Sequence, residues 1–305
     1  MKHVLVTGAN GFIGRAVLPL LAARGWQISA VSRQPHDAAS ASTSWHTANL
    51  FDTDATAELL GHLRPTHLLH LAWNTEHGRF WQAPDNLRWM SASLSLLQAF
   101  AQAGGKRAVV AGTCAEYDWN HGFCRENVTP CAPRSLYGEA KLATHRLARR
   151  LLADADTQLA WARVFFPYGP GEAAGRLIPS VMRAMDAGGP VRCSHGLQYR
   201  DFLHVDDVAA AFAHLLDVAD DGVFNIASGT PVQLRQIVLT LARLMHWTGT
   251  PDFGAIAVPD DDPPLLVGDI TRLRGTSWQP TIGLDDGLTH TLADWRQQRQ
   301  QLRSS

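Results

Sequence analysis

The sequence predicts a doubly wound α/β fold: a parallel sheet with helices on both faces, followed by a smaller C-terminal lobe. Three observations carry this expectation. Short apolar runs alternate with helix-spaced segments through residue 165. The first strand–helix junction is a glycine-rich turn. After residue 165 the rhythm breaks at Pro167-Tyr168-Gly169-Pro170-Gly171. At roughly 150 residues per domain, 305 residues allow two units. The expected division is 1–165 and 166–305, with segments near 200–228 returning to the first unit.

The elements follow in order. His3–Thr7 is a short apolar run ending in glycine, and Phe12–Arg24 has helical spacing with Gly25 as its stop. Pro19 inside that helix predicts a kink. Gln27–Ser32 alternates like a second strand. His67–Ala72 is apolar enough for a strand covered on both faces. Pro84–Ala103 reads as a long helix closed by Gly104-Gly105, and Lys106–Thr113 as another buried strand. Arg134–Leu152 is a helix and Gln158–Phe165 a strand. Beyond the break, helices are expected at Ile178–Ala187, Asp206–Val218, Leu234–Met245 and Leu284–Gln300, with short strands such as Val223–Ala227.

Composition narrows the class of function. The chain is 46% hydrophobic and 18% charged, which supplies a core and argues against disorder. Lys and Arg number 27 and Asp and Glu 28, a net charge of −1. Such a balance offers no general attraction to nucleic acid or to an anionic membrane, so an anionic ligand must be held by local groups. The four cysteines (Cys114, Cys124, Cys131, Cys193) form no CxxC pair and no metal-ligand spacing with histidine. Free thiols in a reducing cytoplasm are expected, and no metal. No apolar run approaches the ~20 residues of a membrane span. Met1 to Gly8 runs straight into structure, so no signal peptide is expected.

The turn Gly8-Ala9-Asn10-Gly11-Phe12-Ile13-Gly14 follows the first strand and opens the first helix. Gly8 permits a tight turn, Gly11 lets the backbone approach a pyrophosphate, and Gly14 lets helix and strand pack closely. The helix N-terminus then offers N–H groups to the phosphates. This placement points to a dinucleotide. At the end of the second strand stands Val31-Ser32-Arg33, with no acid before Asp37. A carboxylate there would repel a 2′-phosphate, whereas Ser32 and Arg33 can bind one. NADP(H) is therefore expected, with NAD(H) as the alternative.

Tyr137-Gly138-Glu139-Ala140-Lys141 sets a phenol and an ammonium one helical turn apart. The ammonium is expected to lower the phenol's pKa from near 10 and suit it to acid–base work. The strand ending at Gly112-Thr113 brings a hydroxyl to the edge where such sheets bind ligands.

With these residues in place the chain resembles the extended short-chain dehydrogenases that act on nucleotide-sugars, the NAD-dependent epimerase/dehydratase family, whose fold is Rossmann-type. The similarity spans almost the whole length. It includes the spacing GxxGxxG and the motif YGEAK. It also includes His70-Leu71-Ala72, Asn86, Glu126 with Thr129-Pro130 and Pro133, Arg163 with Pro167 to Gly171, Arg200 to Asp207, and Phe224-Asn225-Ile226. The resemblance implies that Thr113, Tyr137 and Lys141 are catalytic. It implies that Gly8, Asn10, Gly11, Phe12, Ile13 and Gly14 hold the cofactor with Ser32, Arg33, Asn49, Leu50, Leu71, Ala72, Trp73, Asn86, Phe165 and Pro167, joined by Tyr137 and Lys141. Thr113, Cys114, Phe166 and Arg200 would meet the substrate, Arg200 at its diphosphate.

The departures are informative. Asn49 stands where the family has an acid facing adenine, and Phe166 where it has a substrate-binding asparagine. A second phosphate-binding arginine is missing from Val258-Pro259-Asp260-Asp261-Asp262-Pro263, which leaves His195, Arg176 and Arg192 as candidates. Cys114 and Ala115 follow Thr113 where a dehydratase has its acidic pair, which argues against dehydration. Glu116 comes one place later. The expected activity is NADPH-dependent reduction of a nucleotide-activated keto-sugar of 4-keto-6-deoxyhexose type. The stretch Gly112 to Trp119 is similar to deoxysugar synthases and reductases of surface polysaccharides. The alternatives are an NAD-dependent nucleotide-sugar 4-epimerase and, in another class, an NADP-sensing regulatory protein. Trp73, Trp81, Trp89 and Trp119 cluster in the first half, with His77 and Arg79 among them. Apolar residues on Leu87–Phe100 and Leu136–Leu152 exceed one narrow stripe and point to a homodimer.

Overall fold

The computed structural model describes residues 2–36 and 40–304. Its centre is a seven-stranded sheet. The strands are β1 (His3–Thr7), β2 (Gln27–Ser32), β3 (Thr43–Thr47), β4 (His67–His70), β5 (Arg107–Thr113), β6 (Gln158–Val164) and β7 (Gly222–Ile226). Their order is β7-β6-β5-β4-β1-β2-β3, and every pair is parallel. The order reverses at β1 and β4, the place beyond the carboxyl ends of the strands where such sheets bind ligands.

Helices cover both faces. On one, α1 (Phe12–Ala23) and α6 (Val205–Asp217) bury Val17, Leu21, Ala209, Phe212 and Leu216. On the other, α2 (Thr53–Leu63), α3 (Asp85–Gln102) and α4 (Leu136–Leu151) bury Leu60, Leu96, Leu97, Phe100 and Ala148. Pro19 sits on the exposed side of α1, and the helix continues past it to Ala23.

Two elements carried no periodic signal. β3 reads Thr-Ser-Trp-His-Thr, an edge strand without an apolar run. α2 starts where Asp52 Oδ1 accepts from Ala55 N at 3.0 Å, an N-cap. The expected strand His67–Ala72 stops at His70, because the Ala72 N–H turns to the Thr7 hydroxyl.

The C-terminal lobe packs α5 (Leu177–Asp186), α7 (Leu234–Leu244) and α8 (Leu284–Ser304) around Ile178, Met182, Ile237, Leu241, Leu288 and Leu292. It carries a four-stranded sheet in the order Val232–Gln233, Tyr199–Arg200, Leu265–Gly268, Phe123–Cys124. Phe123–Cys124 comes from the first half of the chain, while β7 comes from the second half and completes the central sheet. The chain therefore crosses in both directions. Among the described residues no helix is long and apolar enough to span a membrane.

Asp201 locks this crossing. Its fully buried carboxylate accepts from Ser228 N (2.6 Å), Ser228 Oγ (2.7 Å), Gly229 N (3.0 Å) and Gly268 N (3.1 Å). Asp207 likewise accepts from Thr281 N and Oγ1 and from Ile282 N. Asp201→Ala strands buried donors on two segments and is expected to lower unfolding free energy on the order of 3 kcal/mol or more. Urea titration checks this, and a loss below about 1 kcal/mol would show that water replaces the carboxylate.

Candidate active site

The site begins at the ends of β1 and β4. Thr7 Oγ1 meets His70 Nδ1 at 2.7 Å, and His70 Nε2 meets Ser93 Oγ on α3 at 2.9 Å. The Ser93 hydroxyl donates to the Trp89 carbonyl, so Nε2 is the donor and Nδ1 the acceptor of this imidazole. Burial pushes His70 down to about 3, which keeps it neutral. The chain of bonds ties both strand ends to α3. Gly8 turns beside them at φ 68°, so tightly that a Cβ there would lie 2.7 Å from Ala72 N. A Cβ on Gly14 would lie 2.2 Å from the Gly8 carbonyl oxygen. No side chain caps the N-terminus of α1. Its N–H groups and positive dipole end remain for an anion, and a dinucleotide pyrophosphate fits this cradle.

Tyr137 and Lys141 sit on the first turns of α4, which Ser135 caps by accepting from Gly138 N at 3.1 Å. Both side chains are buried. Lys141 Nζ donates to the Ala111 carbonyl of β5 at 2.8 Å and stands 3.9 Å from the centre of the Trp73 ring. Burial pushes this lysine down to about 7, and the Glu116 charge opposes the shift. Tyr137 is raised above its ordinary value, by burial first; a hydrogen bond with the Thr113 side chain and the Arg176 cation pull the other way. The expected lowering of this phenol by Lys141 is thus overturned. The ammonium is directed at Ala111, desolvation wins, and the phenol stays protonated at neutral pH.

Thr113 ends β5 beside this pair. Its Oγ1 accepts from Ala115 N at 3.2 Å, and its N–H donates to Glu116 Oε1 at 2.9 Å. This is a capping box over the short turn Cys114–Glu116. Glu116 itself points into the core. Trp161 Nε1 donates to both of its oxygens, and Arg163 Nε donates to Oε2 at 2.8 Å. Fully occupied and buried, it is no proton shuttle.

Aromatic rings wall the phenol. Phe80 and Trp81 meet Tyr137 edge-on at 4.8 and 5.8 Å, Trp73 at 6.3 Å, and Trp119 meets Trp81 at 6.0 Å. Trp73 is held by Asn86, whose Oδ1 accepts from Trp73 Nε1 at 2.8 Å while Nδ2 donates to the Phe80 and Ala83 carbonyls. Asn86 thus acts within the protein through the loop it braces.

The other residues singled out in the sequence distribute as follows. Leu71 and Ala72 lie against the Gly8 turn, where Asn10 is exposed and Phe12 and Ile13 half-buried. Ser32, whose Oγ accepts from Gln34 N at 3.3 Å, and the exposed Arg33 stand at the end of β2. Asp37 lies outside the described residues. Asn49 Oδ1 accepts from Phe51 N, and Leu50 is packed in the core with Trp89. Phe165 is buried with Tyr117, Cys124 and Leu266, so its ring serves the core between the lobes, and Pro167 is half-buried. Cys114 is buried in the same cluster, its thiol pushed up by desolvation.

Arg200 is not free. Its Nη1 donates to the Tyr199 and Pro263 carbonyls, its Nη2 to Asp262 Oδ1 at 2.6 Å, and its guanidinium lies 5.8 Å from the ring of Phe166. Of the three further basic residues, Arg176 acts on Tyr137 and stands 6.0 Å from the Phe80 ring. Arg192 is tied to the Ala255 carbonyl, and His195 accepts from Leu197 N. The sequence reading missed the Glu116–Arg163 pair, although Thr113-x-x-Glu116 has capping-box spacing, and it missed Asp262 as the partner of Arg200.

The sequence model of the NAD dependent epimerase/dehydratase family matches residues 4–227. The dTDP-6-deoxy-L-talose 4-dehydrogenase (NAD(+)) of Aggregatibacter actinomycetemcomitans is 27% identical over 77% of this chain and 88% of its own. The GDP-6-deoxy-D-mannose reductase of Pseudomonas aeruginosa is 25% identical over 96% of this chain and 97% of its own. Among solved structures, MoeE5 in complex with UDP-glucose and NAD superposes with a TM-score of 0.84 at 29% identity, covering 97% of this chain and 99% of that one.

The chain holds three lysines, Lys2, Lys106 and Lys141. Selective nitrogen-15 labelling should therefore show one amine titrating near pH 7, and Lys141→Met should remove that signal. Three amines titrating together above about pH 9 would contradict the burial of Lys141.

Proposed function

The chain belongs to the NAD dependent epimerase/dehydratase family, and from that premise we propose that it reduces a nucleotide-activated keto-sugar, of 4-keto-6-deoxyhexose type, with NADPH. The observation that carries the proposal is the protonated, walled-in phenol of Tyr137 beside Thr113, at the open end of the sheet. A nicotinamide dinucleotide seated against the Gly8–Gly14 turn supplies the hydride. The Thr113 hydroxyl orients the ketone oxygen, and Tyr137 passes its proton to that oxygen. Tyr137 enters a reduction as the acid, in the protonated state that its burial favours. The Arg176 cation and the Thr113 hydrogen bond stabilise the phenolate left behind. Lys141 would hold the ribose of the cofactor. The rings of Phe80, Trp81 and Trp73 exclude water and strengthen each of these contacts.

Dehydration lacks its acids: Cys114 and Ala115 follow Thr113, and both oxygens of Glu116 are occupied. Names of the two relatives support a 6-deoxyhexose substrate. Ser32 and Arg33 support the phosphorylated cofactor, although the talose relative's name carries NAD(+) and the MoeE5 structure holds NAD. Exposed Leu87, Leu147 and Leu151 on α3 and α4 support a homodimer.

Tyr137→Phe should lower kcat by about 10²-fold or more while leaving NADPH affinity nearly intact. Turnover at the parental rate would remove Tyr137 as the acid. Arg33→Ala should weaken NADPH by about tenfold or more relative to NADH, as loss of a charged phosphate contact requires. Equal effects on both cofactors would overturn the NADPH preference, and NAD retained through purification would favour a 4-epimerase.

A further inference from the structure

Resting on the assignment of Tyr137 and Lys141 as the catalytic pair, we propose that Glu116 is a positioning residue of the active site. From inside the core its carboxylate holds the backbone of Thr113 and sets a negative charge that acts on Lys141. No side-chain atom of Glu116 reaches the crevice, since the residue is 0% exposed. Its acceptor positions are filled by Thr113 N, Trp161 Nε1 and Arg163 Nε, from β5 and β6.

The surroundings are built for this carboxylate. A Cβ on Gly112 would lie 2.3 Å from Trp161 Nε1 and 2.7 Å from Glu116 Oε1, so only glycine lets the two meet under the strand. Stability alone does not explain the arrangement. A buried ion pair is commonly no more stabilising than apolar residues of the same volume. This one also leaves Arg163 Nη1 without a hydrogen-bond partner.

Its charge is, however, well placed for Lys141. The titratable and charged groups around that ammonium are His70 from β4, Glu116 from the end of β5, Tyr137 on α4 itself, and Arg163 on β6 beyond Glu116. His70 is neutral and Tyr137 protonated. Arg163, bonded to Glu116, adds its charge to the burial that pushes His145, one turn further along α4, down to about 4. Glu116 is the charge acting on Lys141 against its desolvation. Moreover, the same carboxylate fixes the N–H of Thr113 while Thr113 Oγ1 binds Ala115 N, so the hydroxyl that meets Tyr137 has one orientation.

The test uses the full chain with Glu116→Gln and Glu116→Asp. Folding is followed by circular dichroism, steady-state kinetics by NADPH oxidation, and Lys141 by its nitrogen-15 titration. Glu116→Gln removes the charge and keeps an acceptor. It should lower kcat about tenfold or more, leave both KM values within about threefold, and move the Lys141 midpoint down by about one pH unit. Glu116→Asp keeps the charge but withdraws it from Thr113 N. It should lower kcat while the Lys141 midpoint moves far less. A folded Glu116→Gln protein with parental kcat and an unmoved Lys141 midpoint would overturn the proposal. Should Glu116→Gln not fold, parental kcat in Glu116→Asp would overturn it instead. The Lys141 titration needs no turnover, so a wrong assignment of the reaction would show in Tyr137→Phe without moving this readout.

Discussion

The burial of one ammonium organises the open end of the sheet. Lys141 is 3% exposed, and a charge so placed must be answered by dipoles, rings or counter-charges or else lose its proton. Three answers converge from different elements: the Ala111 carbonyl at the end of β5, the face of Trp73 in the loop after β4, and the Glu116 carboxylate beneath the turn after β5. Each is itself held by others. Trp73 is braced by Asn86, which also fixes the loop bearing Phe80. Packing on that side is close enough that a Cβ on Gly138 would lie 2.5 Å from the Ala115 carbonyl oxygen. The helix carrying the phenol and the turn carrying Thr113 therefore cannot shift independently.

The interlocked lobes extend the same constraint. Strands exchanged in both directions, and the carboxylates of Asp201 and Asp207 bridging segments far apart in sequence, hold the second lobe to the sheet. That matters because α5 begins at Arg176, whose cation acts on Tyr137. The loop before it folds back onto α1, where Arg15 reaches the Gly171 carbonyl, and it buries Glu172, which desolvation pushes up to about 8. Both lobes thus contribute charge to one crevice.

Much of this was legible in the sequence where a local pattern and a global position agreed. The Gly8–Gly14 turn, the helix of Tyr137 and Lys141, and the strand ending at Thr113 all sit where periodicity and punctuation place them. Legibility failed in two ways. β3 and α2 lack apolar periodicity, since an edge strand and a helix started by an Asp52 cap need little of it. Electrostatics failed more instructively. Spacing shows that Tyr137 and Lys141 share a helix face, but not which groups dominate each pKa. The burial that raises the phenol and depresses the amine is delivered by tertiary folding, which brings Phe80, Trp73 and Trp81 onto Tyr137 and Trp73 onto Lys141.

Arg200 shows the same limit from the opposite side. A motif placed this arginine at the substrate diphosphate, and the strand Tyr199–Arg200 does bring it beside Phe166, next to the cleft. Yet its guanidinium already holds a carboxylate, Asp262, which also accepts from Gln198 Nε2 at 3.0 Å. Asp262 lies in the loop that lacks the second arginine expected there, and the backbone of that loop is bound by Arg134 at Asp261. A phosphate brought to Arg200 would meet the repulsion of that carboxylate, which occupies one of the two Nη2 hydrogens. The Arg200 guanidinium is tied to residues 259–263, a tie that follows from the pairing of two side chains and not from the motif that contains one of them.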